Sequence, residues 1–149
     1  MAETSLERFT VVPTPTRIDA HPQFTGDGVT IAMLDAGFQR HPDLTTPKNR
    51  VLAVVDSADG GAAIEPAAVE SWDWHGTQTS TVCAGNGGMS NGRYRGVACD
   101  AKLVLVKIGR KGRISDEDIA RGIEWVIANR EKYRIDIVNI SAGGDEPIS

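Results

Sequence analysis

Two side chains of the 149-residue chain are of types and at a spacing that allow acid–base chemistry. Asp35 closes the apolar run Ile31-Ala32-Met33-Leu34 and is followed by Ala36-Gly37, and His75 opens His75-Gly76-Thr77, 40 positions later. An imidazole that takes a proton from a hydroxyl needs a carboxylate to hold its tautomer and to stabilise the imidazolium it becomes. Asp followed by His is the first part of an Asp…His…Ser arrangement for nucleophilic attack on a carbonyl. No segment up to Ser149 reads as the carrier of the nucleophile, so the expectation is that these residues supply two members of a triad. Taken singly, Asp35 before Ala-Gly is ordinary turn chemistry, and His75 is an ordinary residue at a helix start. The surrounding elements have to decide.

Those elements alternate between strand and helix. Thr25-Gly26-Asp27-Gly28 is a turn feeding Val29 to Leu34, an apolar run of strand length such as a parallel strand covered on both faces requires. Val51 to Val55, Lys102 to Ile108 and Ile135 to Ile140 are three more such runs. Between the last two, Ser115 is placed to cap a helix, Asp116, Glu117 and Asp118 crowd its positive end, and Ile119, Ile123, Val126 and Ile127 recur at helical spacing. This βαβ unit predicts a right-handed crossover and a ligand site beyond the carboxyl ends of the strands, where Asp35 and Ser141 both fall. The predicted fold is α/β in three layers, a mainly parallel sheet with helices on both faces, incomplete in this chain. Residues 1–24, with the Pro/Thr-rich stretch Val11 to Thr16, read as an extended lead-in, and residues 25–149 as the folded unit.

Composition narrows the function. With 40% hydrophobic and 24% charged residues the chain is globular, and 20 acidic against 16 basic residues argue against a nucleic-acid or anionic-membrane surface. Arg110-Lys111-Gly112-Arg113 reads as a solvated loop. No strand is followed by a glycine-rich phosphate loop, which argues against a third reading, a nucleotide-binding domain. Cys83 and Cys99 read as small buried thiols. Met1 to Phe9 carries charges and no apolar core of a signal peptide, so the expected location is cytoplasmic as written, or secreted if the sequence begins after processing.

Six blocks, in order, add a resemblance. Gly28 to Gly37, His41-Pro42-Asp43-Leu44, His75-Gly76-Thr77, Gly96-Val97-Ala98, Gly122-Ile123-Glu124-Trp125 and Ile137 to Gly144 resemble the subtilisin-like serine proteases, over about residues 26 to 144. The resemblance implies a serine endopeptidase in which Asp35 is the triad carboxylate and His75 the general base, with the serine and the oxyanion asparagine further along a longer catalytic domain. It implies that Ser141, Ala142 and Gly143 pair with an extended peptide or protein substrate, and that the region around Gly112 is the opposing strand. Asn139, inside a strand, is expected to satisfy neighbouring backbone. No cofactor is required. Asp43 matches a position that binds structural calcium in some members, but the loop Asn86 to Arg95 adds no carboxylate.

Two departures stand out against that pattern. Ala36 occupies a position where Ser or Thr is usual, and Gln78-Thr79-Ser80-Thr81 replaces a small, glycine-containing helix start. They leave open an alternative, a catalytically silent relative that binds extended peptides as a scaffold. Trp72 and Trp74 are placed to line a cleft or simply to pack. No segment before the first strand is long enough for an inhibitory pro-domain. The apolar strand Ile135 to Ile140 would form an uncovered edge, so the expected partner is a C-terminal segment of the same protease as a second chain.

Overall fold

The computed structural model describes residues 12–64 and 70–142. Five strands form one sheet: β1 (Thr30–Asp35), β2 (Val51–Asp56), β3 (Ala62–Ala63), β4 (Lys102–Lys107) and β5 (Ile137–Ile140), in the spatial order β3-β2-β4-β1-β5. All pairings are parallel except the short β2–β3 pair. Helices α3 (Trp74–Ala84) and α4 (Asp116–Tyr133) cover opposite faces. The expected three-layer α/β architecture is therefore the observed one.

Strand alternation sorts the core into two halves. Ile31 and Met33 of β1 join Leu103, Leu105, Phe38, Leu44 and Ala84 on the α3 side. Ala32 and Leu34 join Val104, Val106, Ile108, Val126 and Ile135 on the α4 side. Asp35, two residues after Met33, has the parity of the α3 side. Strand register alone aims its side chain at the helix that carries His75.

Helix α4 begins with a reciprocal cap: Ser115 Oγ accepts the Asp118 N–H at 3.2 Å while Asp118 Oδ2 accepts the Ser115 N–H at 3.2 Å. It ends at Arg134 in the left-handed conformation. The helix lies on the sheet at Gly122, where a β-carbon would press on Ile108 and stand 3.1 Å from Leu34 Cδ2. That contact centres the buried face on Ile119, Gly122 and Val126 and turns Ile127 outward, 69% exposed, so the apolar stripe read from the sequence is only partly buried.

The structure differs from expectation in two further stretches. Thr14–Arg17 forms a helical turn, α1, inside the presumed extended lead-in; Pro13 before it stays extended, and Pro15 suits a first turn because its fixed φ is helical and its missing N–H has no partner to lose. The last strand is shorter than its apolar run, because Ile135 is buried beneath α4 and Asp136 Oδ2 accepts the Thr30 N–H at 2.9 Å. β5 lies at the sheet edge with Ile137, Val138 and Ile140 exposed. Cys83 is half-buried and Cys99 buried, both as free thiols, and burial pushes the Cys83 thiol up. Among the described residues no helix is long and apolar enough to cross a membrane.

Candidate active site

Asp35 is 1% exposed at the carboxyl end of β1. Its Oδ1 accepts the Ala36 N–H at 2.7 Å, and His75 Nδ1 lies 2.9 Å from Oδ1 and 3.0 Å from Oδ2. A carboxylate can only accept, so Nδ1 carries the shared proton and the neutral ring presents a basic Nε2. The imidazole side chain is 43% exposed, and Nε2 has no hydrogen-bond partner among the described residues. One nitrogen is thus held by a buried anion and the other is free at the surface, the arrangement a general base needs.

His75 is the second residue of α3, and the helix is built to come close. Gly76 faces the β1 end, where a β-carbon would collide with the Gly37 carbonyl. Hydroxyls on this polar helix bond back to its own carbonyls: Thr77 Oγ1 to Asp73 O at 2.8 Å, Ser80 Oγ to Gly76 O at 2.7 Å, Thr81 Oγ1 to Thr77 O at 3.0 Å. A helix with few apolar side chains can then be buried without orphaned polar atoms. Asp73, just before it, is buried against Gly37 and accepts the Glu70 N–H at 2.8 Å.

A cleft of about 530 Å³ opens at the carboxyl ends of β1 and β5. Asp35, His75, Gly112, Ser141 and Ala142 all line it. Gly143 lies outside the described residues. Trp72, Ile114 and Ile119 supply apolar wall, and Trp74, also in the wall, meets His75 edge to face with ring centroids 5.4 Å apart. Ser141 Oγ is bonded to Asn139 Nδ2 at 2.8 Å, so Asn139 serves a side chain where backbone was expected. No hydroxyl or thiol among the described residues hydrogen-bonds to His75.

The region around Gly112, expected as the strand opposing the substrate, forms a turn at Lys111 and Gly112. Lys111 and Gly112 both have positive φ, 49° and 75°, and Arg110 and Arg113 exchange backbone hydrogen bonds of 2.8 and 3.0 Å across them. Two left-handed central residues make a tight hairpin turn that closes on itself, with glycine at the second position. Nor is the basic loop wholly solvated, since Arg110 donates to the Ala58 carbonyl.

Asp43 stands apart from the cleft, in α2 (Pro42–Thr45). Its Oδ1 accepts the Met89 N–H at 2.8 Å, and its carbonyl accepts from Arg50 Nη2 at 2.6 Å. Asn86 Oδ1 accepts the Gly88 N–H at 2.8 Å. Calcium asks for six or more oxygens. One carboxylate turned to an N–H, beside a buried guanidinium, does not fit that demand. Among the described residues no cluster of three His, Cys, Asp or Glu is placed to hold a metal ion.

Thr79 is the site residue that motif reading missed. Its Oγ1 lies 3.1 Å from Asp35 Oδ2, and its position four residues after His75 on a helix was the available signal.

This chain is similar to known proteins. Serine protease AprX of Bacillus subtilis (strain 168) is 36% identical over 127 residues, covering 81% of this chain and 26% of that protein. The major intracellular serine protease of the same organism is 32% identical over 126 residues, covering 83% of this chain and 36% of its own length. The structure of the Clostridium perfringens CspB protease superposes with a TM-score of 0.71 at 20% identity, over 91% of this chain and 33% of that one, and supports the fold alone. The chain thus spans only a quarter to about a third of the length of these relatives. The subtilase family pattern matches residues 26–148, and the chain belongs to that family.

Proposed function

We propose that this chain is part of a serine endopeptidase, with Asp35 and His75 as two members of the triad and the serine and oxyanion donor on a C-terminal segment outside these 149 residues. The observation that carries the reading is the imidazole held by a 1% exposed carboxylate at one nitrogen and open to the cleft at the other. In the reaction His75 Nε2 takes the proton of the serine hydroxyl as the oxygen attacks the peptide carbonyl. It returns that proton to the leaving amine, and water then repeats the sequence on the acyl-enzyme. Asp35 stays ionised and holds the imidazolium throughout.

Substrate would enter as an extended chain along Ser141, Ala142 and Gly143, where small residues let two backbones approach within hydrogen-bond range. The Gly112 turn and the two tryptophans would wall the opposite side. Labelling of the natural-length protein by a fluorophosphonate probe tests the proposal. A labelled serine, lost on His75→Ala, supports it; a folded protein that stays unlabelled overturns it and moves the peptide-binding, non-catalytic reading ahead. Native mass spectrometry adds the partner: a second polypeptide that separates on denaturation would identify a two-chain enzyme.

A further inference from the structure

Thr79 sits one turn beyond His75 on α3, and its hydroxyl has two acceptors within reach, Asp35 Oδ2 at 3.1 Å and the Gly76 carbonyl at 3.0 Å. It has one proton to give. The Gly76 carbonyl already receives the Ser80 hydroxyl at 2.7 Å. Asp35 is a buried carboxylate, and a hydrogen bond to a charged acceptor is about twice as strong as one to a neutral carbonyl. The Thr79 proton therefore belongs to Asp35.

That bond completes a pattern around the carboxylate. Oδ1 takes the Ala36 N–H at 2.7 Å, the imidazole N–H straddles both oxygens, and Thr79 is the further donor to Oδ2. Without it, Oδ2 would keep only the imidazole, and with backbone holding Oδ1 alone the carboxylate could turn about its bond to Cβ and carry the imidazole with it. Residue 36 is alanine, so no hydroxyl from the residue that follows the strand can do this work.

We infer that Thr79 is a positioning residue for the Asp35–His75 pair, its hydroxyl locking the carboxylate plane and supplying from α3 the donor that Ala36 cannot supply from just beyond β1. The effect on rate rests on the proposed peptidase function; the hydrogen bond itself does not.

The test uses the natural-length protein and three variants. Thr79→Val keeps the shape and removes the hydroxyl; the expected result is about a tenfold fall in kcat with KM unchanged, together with a displaced or broadened low-field proton NMR signal of the His75 Nδ1–H. Thr79→Ser should keep both properties, and Ala36→Ser added to Thr79→Val should recover part of the loss. An unchanged signal and a kcat within twofold in Thr79→Val would overturn the inference. So would a Thr79→Ser that falls as far as Thr79→Val, since the methyl would then be what matters. If the wild-type protein neither cleaves peptides nor takes the probe, the peptidase reading fails while the proton signal still decides the role of Thr79.

Discussion

Gly76 lies directly over Asp35: a β-carbon on residue 76 would stand 2.9 Å from the Asp35 Cβ, 2.9 Å from Phe38 Cε1 and in collision with the Gly37 carbonyl. The nearest of these atoms is backbone, and the other two belong to buried side chains, so none is a flexible side-chain end. Gly76→Ala must therefore push α3 away from β1, at a cost of about 1–3 kcal/mol in stability, and it should lengthen the Asp35–His75 contact. Thermal melts read the first effect and probe labelling the second; a variant as stable and reactive as wild type would show that the helix can shift freely.

Asp35→Asn keeps the size of the side chain and reverses its hydrogen-bonding. The amide would turn an acceptor into a donor and favour the wrong imidazole tautomer, which in triads of this kind lowers kcat by about 10⁴. Stability should change far less than activity. A loss under tenfold would mean that Asp35 does not orient His75 during turnover.

Asp118 makes the cap of α4 sensitive to acid. The Ser115 hydroxyl first, and then Arg121, hold its carboxyl below the usual range. Because the folded value lies below the unfolded one, the associated stability is present above about pH 4 and is lost as pH falls through the lower folded value. Wild type should therefore exceed Asp118→Asn in melting temperature at neutral pH, with the gap closing in acid. Ser115→Ala should cost about 1 kcal/mol. A gap that is constant with pH would remove the carboxylate charge from the account.

Arg50 is buried, donating to Ala101 O at 3.0 Å and Asp43 O at 2.6 Å, and burial lowers its ordinarily high pKa. Arg50→Met would leave the Ala101 carbonyl without its donor and the Asp43 carbonyl with the Asn86 N–H alone, for a loss of about 1–3 kcal/mol. Arg50→Lys should not restore both bonds, since one ammonium cannot span the two carbonyls as the planar fork does. Denaturant titration of the two variants distinguishes these outcomes.

The Asp43 loop closes on its own N–H groups, so a chelator should leave the melting temperature within about 1 °C of the untreated protein, well under the shift expected of a ligand held at 100 times its dissociation constant. A larger drop, reversed by calcium, would show that the loop opens to admit the ion.

The strands and α4 were legible because their signals are local: apolar runs bounded by turns, and a Ser-x-x-Asp cap before a periodic helix. Asp35 and His75 could be marked as residues because each ends or begins an element, and the parity of β1 then fixed the facing. The turn at Gly112 was legible only in part, because its left-handed Lys111 leaves no compositional trace beyond one neighbouring glycine. Thr79 carried a weak signal, since most hydroxyls on a helix bond to their own backbone, as Thr77, Ser80 and Thr81 do here. What singled it out was a contact between residues 44 positions apart, which no local pattern contains.

The strand order β3-β2-β4-β1-β5 has a kinetic side. β1 and β2, made before the other strands of this sheet, are not neighbours; β4 lies between them, and β5 closes the far flank of β1. No parallel pair can form until Lys102–Lys107 has emerged, and β1 gains its second flanking strand only with Ile137–Ile140. Between the synthesis of β2 and that of β4 the chain holds apolar strands without a parallel partner, the condition in which slow folding and chaperone dependence are expected. The buried carboxylate at the end of β1 is thus made before both strands that flank β1.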